Sequence, residues 1–184
     1  ELFDGHNLNS SAAAFDFEKL AWLNAHYLRE TPDAELAALV APFVAKEGFP
    51  QATAAVIEPL LPLFRERASN LVELARALPM VLNHADSLEY DPAAVAKALT
   101  AEGRTHVAGV RELLAAVAEF SRESAERVIH DYVESKGIKF KQIGPPLRVA
   151  LTGRLGGPGL PDVMAAIGRE DTLARLDRAF GLSE

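Results

Sequence analysis

Leu36, Leu39, Val40, Phe43 and Val44 recur at the spacing of one helical face. Leu71, Leu74, Leu78, Val81 and Leu82 repeat the pattern, as do Val107, Val110, Leu113, Leu114 and Val117. Alternation at period two, the mark of a half-buried strand, is nearly absent. The pattern predicts an all-α chain with helices near 17–29, 32–47, 51–67, 70–84, 92–102, 105–120, 124–136, 145–152, 160–167 and 170–180. Thr31-Pro32 and Asp91-Pro92 each offer a capping oxygen followed by a proline suited to the first helical position, while Gly48 and Gly103 mark helix ends. Pro42, Pro59 and Pro62 fall inside helical patterns and are expected to kink or split them.

The turn-rich stretch Asn83–Pro92 (NHADSLEYDP) separates two groups of helices, so two consecutive small bundles are expected, over 31–90 and 91–184, with residues 1–30 as a connector. No internal repeat interrupts this organisation. The first residue is Glu1, which raises the expectation of a piece of a longer chain.

Composition narrows the chemistry. The 184 residues are 49% hydrophobic, enough for a real core, and carry a formal net charge of -7, so attraction of polyanions by the whole surface is excluded and any such site must be local. The absence of cysteine removes disulfides, thiol nucleophiles and Cys-ligated metals, and is compatible with a cytoplasmic setting. Neither a membrane-length apolar run nor a secretory signal pattern occurs.

Catalytic signals are weak. His6, His26, His84, His106 and His130 are scattered, with no HExxH and no pair of histidines at i, i+4, and read as surface or partly buried side chains; no metal site is expected. Glu18, Glu30 and Glu35 read as solvated helix charges. The run Gly153–Gly159 is glycine-rich but lacks the lysine and hydroxyl of a phosphate loop.

One stretch departs from the acidic average. Between Glu134 and Asp162 there is no carboxylate, whereas Lys136, Lys139, Lys141, Arg148 and Arg154 are basic, a local positive surface of the kind phosphates or unpaired bases need. The plain alternative is a chance order of charges on an ordinary surface. Arg65 and Arg67 close a predicted helix and read equally as compensation of its dipole. Trp22, the single tryptophan, reads as a core anchor before a base-stacking platform.

Three segments carry a resemblance. Phe15-Asp16-Phe17-Glu18-Lys19-Leu20-Ala21-Trp22-Leu23-Asn24 resembles the FDxEKLxWxN stretch of bacterial glutamyl-tRNA synthetases. Glu66-Arg67-Ala68 with Leu71-Val72-Glu73-Leu74 resembles their ERAxxLxEL segment. Pro146–Gly153, Pro158-Gly159-Leu160, Gly168-Arg169-Glu170 and Arg175-Leu176 are similar to the PLRxALTG…SPxL…LGKE…RL close of that family. The order is the family's and the coverage is nearly the whole chain.

The resemblance implies the C-terminal, all-helical anticodon-binding region of a class I synthetase: the end of a stem-contacting region within residues 1–30, then two anticodon-binding subdomains, 31–90 and 91–184. HIGH-like and KMSKS-like motifs are absent, so ATP and magnesium are assigned to a catalytic domain outside this sequence, and no catalytic residue or cofactor is expected here. The implied partners are the anticodon loop of tRNA(Glu) and that catalytic domain, with no membrane. Carried over, the family's anticodon contacts fall near Trp22, Arg67, Arg148, Leu155, Pro158 and Leu160; the basic window itself offers Lys136, Lys139, Lys141 and Arg154 as candidate phosphate contacts. Arg67 aligns with the family's reader of the third anticodon base. At Gly157 the family commonly has Ser or Thr, so that contact is expected from backbone alone or not at all. A helical protein-docking module of the same descent is the competing reading.

Overall fold

The computed structural model describes residues 16–181; His6, the polar run 7–11 and Phe15 lie outside them. The described residues are helical and irregular, with no strand among them. In chain order the helices are α1 (Phe17–Glu30), α2 (Asp33–Lys46), α3 (Ala54–Ile57), α4 (Leu61–Phe64), α5 (Leu71–Ala77), α6 (Pro79–Leu82), α7 (Pro92–Ala98), α8 (Ala101–Ala116), α9 (Arg122–Lys136), α10 (Phe140–Thr152) and α11 (Leu160–Phe180).

Several boundaries follow from capping chemistry. Asp16 accepts from the N–H groups of Glu18 and Lys19 to start α1, and Asp91 accepts from Ala93 with Pro92 at the first position of α7. Thr31 does not cap α2 as expected: its hydroxyl donates to the Tyr27 carbonyl at 2.7 Å and closes α1 instead. Gly48, at φ 98°, does follow α2. Gly103 is a correction, since it lies inside α8 with its N–H on Thr100 Oγ1. A Cβ there would stand 2.3 Å from the Ala98 carbonyl oxygen, so this glycine allows two helix ends to approach and does not stop one.

Proline effects depend on position. Pro59 and Pro62 divide the expected helix 51–67 into α3, a 3-10 turn at Glu58–Leu60, α4 and a second 3-10 turn at Arg65–Arg67. Pro79 splits 70–84 in the same way, whereas Pro42 stays within α2. Helix α10 starts five residues before the expected 145, with Pro145 and Pro146 inside it. Both fall in its second turn, so the carbonyls they leave unpaired belong to the exposed residues Lys141 and Gln142. Gly168 (φ 77°, ψ 173°) interrupts α11 where two helices were expected.

Two apolar cores result. Leu36, Val40, Val44, Ile57, Leu61, Phe64, Leu74 and Leu78 centre the first; Val107, Val110, Leu114, Ile143, Leu147, Leu151, Met164 and Leu176 centre the second. Val163 on α11 belongs to the first core, and Ile167 packs against both, so the last helix bridges the bundles. The 83–92 stretch is likewise no free linker. A 3-10 turn at Ala85–Ser87 docks on α11, where the Ala85 N–H donates to Asp171 at 2.8 Å.

Candidate nucleic-acid interface

The broken helix 54–67 gives its two arginines different tasks. Arg65 donates through Nη2 to the carbonyls of Leu28 (2.6 Å), Arg29 (3.0 Å) and Thr31 (2.6 Å), and through Nη1 to Asp33. It therefore neutralises the C-terminus of α1 and not of its own helix. Arg67, two residues on, is exposed, and among the described residues it has neither a hydrogen-bond nor an ion-pair partner.

Arg148 comes to meet it from the other bundle. Its position on α10 is half-buried, and its Nη1 donates to the carbonyl of Pro158, across the loop that follows the helix. Among the described residues no carboxylate pairs with it, and burial, then the charge of Arg67, push its pKa below the ordinary guanidinium value. It keeps its proton at neutral pH. Two guanidinium groups thus face one region, each without an ion-pair partner among the described residues, an arrangement suited to an electron-rich ligand.

Glycines shape the loop. α10 ends on Gly153 at φ 72°, where a Cβ would lie 2.0 Å from the Glu89 carbonyl oxygen, and the Gly153 carbonyl accepts from the Asp91 N–H at 2.9 Å. Gly157 adopts φ 145°, and a Cβ there would stand 3.2 Å from Met80 Sδ. The residue in place of a hydroxyl thus has a backbone conformation that side-chain-bearing residues rarely adopt, and offers backbone alone.

Two clefts open beside the arginines and share Gly159. One, of about 350 Å³, is lined by Pro62, Leu63, Glu66, Arg67, Pro158, Gly159 and Asp162. The other, of about 620 Å³, has an apolar wall of Ile129, Val133, Phe140 and Leu160, with Arg148, Glu126, His130 and Glu134 at its polar edge. Leu160 is 2% exposed and forms floor, whereas Phe140, 52% exposed, presents its ring. Phe140 was missed in the sequence, although Lys139-Phe140-Lys141 is a basic-aromatic interleave of the kind that holds unpaired bases.

The structure therefore brings Arg67, Arg148, Pro158 and Leu160 together and separates the others. Leu155 and Lys141 line a different cleft, of about 520 Å³, with Lys97 and Pro145. Arg154 borders a small cavity beside Arg76 and Met80. Lys136 lies over the Tyr132 ring at 5.8 Å, and Lys139 precedes α10; both are exposed. Trp22 is not a core anchor: it is 64% exposed on α1 and stacked on His26. On α9, His130, Asp131 and Glu134 bring possible ligand atoms within 4.8 Å of one another, but all three are solvated and read as a charged helix face.

A family model described as an anticodon binding domain matches residues 35–180. The glutamate–tRNA ligase of Nitratidesulfovibrio vulgaris strain Hildenborough is 64% identical over 182 residues, which are 99% of this chain and 39% of that protein. The ligase of Geobacter sulfurreducens is 35% identical over 184 residues. Among solved structures, a glutamate tRNA ligase from Elizabethkingia meningosepticum in complex with its amino acid superposes with a TM-score of 0.79 at 25% identity, covering 99% of this chain and 36% of that one. The chain spans about 39% of the length of the curated relatives it matches.

Proposed function

Since the chain belongs to the anticodon-binding domain family, which covers residues 35–180, we propose that it reads the anticodon of tRNA(Glu) as part of a glutamate–tRNA ligase. The observation that carries this reading is the pair Arg67 and Arg148, each without a carboxylate partner among the described residues, on two clefts that share the Gly159 backbone beside Pro158. Unpaired loop bases are stacked on aromatic or guanidinium planes and read on their Watson–Crick edges. Phe140 and Leu160 supply an apolar surface next to the Arg148 guanidinium. Lys136, Lys139, Lys141 and Arg154, outside the two clefts, are the proposed phosphate contacts, and Leu155 and Trp22 accessory base or backbone contacts. Activation of glutamate with ATP and magnesium belongs, in this reading, to the rest of a cytoplasmic enzyme. Among the described residues no helix is long and apolar enough to cross a membrane.

Arg67 is the proposed reader of the third anticodon base. Cytosine turns the acceptors N3 and O2 toward paired guanidinium donors, whereas guanine turns N1–H and N2–H donors toward them. Donors then face donors, and guanine is rejected by unpaired polar groups as much as cytosine is attracted. In the complete ligase, Arg67→Gln is expected to narrow the preference for tRNA(Glu) over tRNA(Gln) by about 1–3 kcal/mol in charging efficiency. An unchanged ratio removes Arg67 from the site.

A further inference from the structure

Arg175 on α11 is 0% exposed, and besides Asp171 on its own helix its described bonds run to backbone carbonyls of both bundles. Its Nε donates to Asp171 at 2.7 Å; Nη1 donates to the carbonyls of Met80 (2.8 Å) and Leu151 (2.7 Å); Nη2 donates to the carbonyl of Asn83. Met80 and Asn83 belong to the last helix of the first bundle and its cap, whereas Leu151 lies three residues beyond Arg148 on α10. One planar group thus fixes the end of the bundle that holds Arg67 against the helix that holds Arg148.

Charge burial on this scale is costly, and an apolar residue could fill such a site, so stability alone does not explain a guanidinium here. What it provides is geometry. The guanidinium fork ties three carbonyls to one rigid group, and Asp171 in turn orients the fork while accepting from the Ala85 N–H. Met80 carries the constraint onward, since its sulfur is the nearest atom to a Cβ built on Gly157, and Arg148 Nη1 lies 3.6 Å from the same point. Arg178 supports the arrangement by donating to the carbonyls of Ala85 and Leu88.

We propose that Arg175, oriented by Asp171, is a positioning residue for base selection: it sets the separation of Arg67 and Arg148 across the bundle boundary, and discrimination at the third anticodon base depends on it without contact to RNA. This rests on the reading of Arg67 and Arg148 as the base-contacting pair. A recognition constellation must be held within roughly 0.5 Å to discriminate, and loss of Arg175 removes three bonds that tie the bundles together here.

Because the sequence contains no cysteine, spin labels can be placed cleanly by Glu66→Cys and Gln142→Cys in the 184-residue chain, and their separation measured by pulsed paramagnetic resonance. The expected result is one narrow distance for the parent and a shifted or broadened one for Arg175→Met. Asp171→Asn, which keeps an acceptor for the Ala85 N–H, is the milder variant if the first fails to fold. In parallel, binding of tRNAs with C or G as third anticodon base is expected to lose about tenfold of its preference in the same variant, at a temperature where its helical circular dichroism matches the parent. An unchanged distance, or equal loss of affinity for both tRNAs, overturns the proposal. A parent chain that shows no C-over-G preference refutes the reader assignment instead, and the distance arm still decides whether Arg175 holds the bundles in register.

Discussion

Arg148 donates to the carbonyl of Pro158, so a charged side chain on α10 holds the loop that follows the same helix. The bond uses one corner of the fork and leaves the group beside the clefts that Arg67 and Phe140 line. Arg148→Met is expected to weaken tRNA binding by about 1.5–3 kcal/mol, the range for hydrogen bonds to a charged group. Arg148→Lys is expected to restore the salt dependence of binding but only part of the affinity, because an ammonium cannot reproduce a planar fork. Titrations at several salt concentrations separate the two effects.

Neutralising Lys139 and Lys141 is expected to reduce the slope of log affinity against log salt by about 0.7–0.9 for each phosphate that is no longer neutralised, with base preference retained. A slope equal to the parent's removes these exposed lysines from the RNA face.

Arg65 and Arg67 should respond in opposite ways. Arg65→Met strips the carbonyls of Leu28 and Arg29 on α1, that of Thr31 just after it, and Asp33 of their shared donor, and a loss of about 2–3 kcal/mol in denaturant stability is expected. Its effect on the ratio of tRNA(Glu) to tRNA(Gln) charging should be nil. Arg67→Gln should change the ratio and leave stability within about 0.5 kcal/mol, as for an exposed residue without partners.

Gly153→Ala combines a left-handed backbone with a Cβ 2.0 Å from the Glu89 carbonyl oxygen, and is expected to cost more than about 3 kcal/mol. Gly48→Ala has comparable strain at φ 98° but open space, and about 1 kcal/mol is expected. Paired urea melts of the two variants measure the part due to close approach.

Tyr90 donates its hydroxyl to the Ala150 carbonyl at 2.9 Å, and burial raises its pKa above 10.0 against the opposing charges of Arg178 and Arg175. With the folded value above the unfolded one, the unfolded chain releases the proton first, so this contribution is complete below pH about 10 and lost as pH rises through the folded pKa. Tyr132, also raised by burial, acts in the same window. Tyr90→Phe is expected to flatten part of the alkaline fall in stability while lowering the neutral plateau by about 1 kcal/mol.

The amphipathic periods determined the helical class and most of each inward face: Leu36, Val40 and Val44, then Leu74 and Leu78, then Val107, Val110 and Leu114 are all fully buried where the spacing put them, whereas Leu39 and Leu113, placed on the same faces, are exposed. Prolines 59 and 62 broke the helix as their missing donors require, and the order of the motifs carried the family. What the sequence by itself did not contain was which side chains meet. Arg65 and Arg67 look alike in the chain, yet one is consumed by the carbonyls of α1 and the other is left exposed, because the 3-10 turn aims them apart. Trp22 reads as core by its apolar area but lies on a helix whose described packing leaves it exposed. The continuous basic window was divided among separate clefts by the turn at Gly153 and the loop to Pro158, and Arg148 was brought to the same region as Arg67, eighty-one positions away, only by the packing of the two bundles through α11. Local periodicity reports burial through solvent exclusion along one element; convergence of charges from distant elements is decided by packing, which no local pattern encodes.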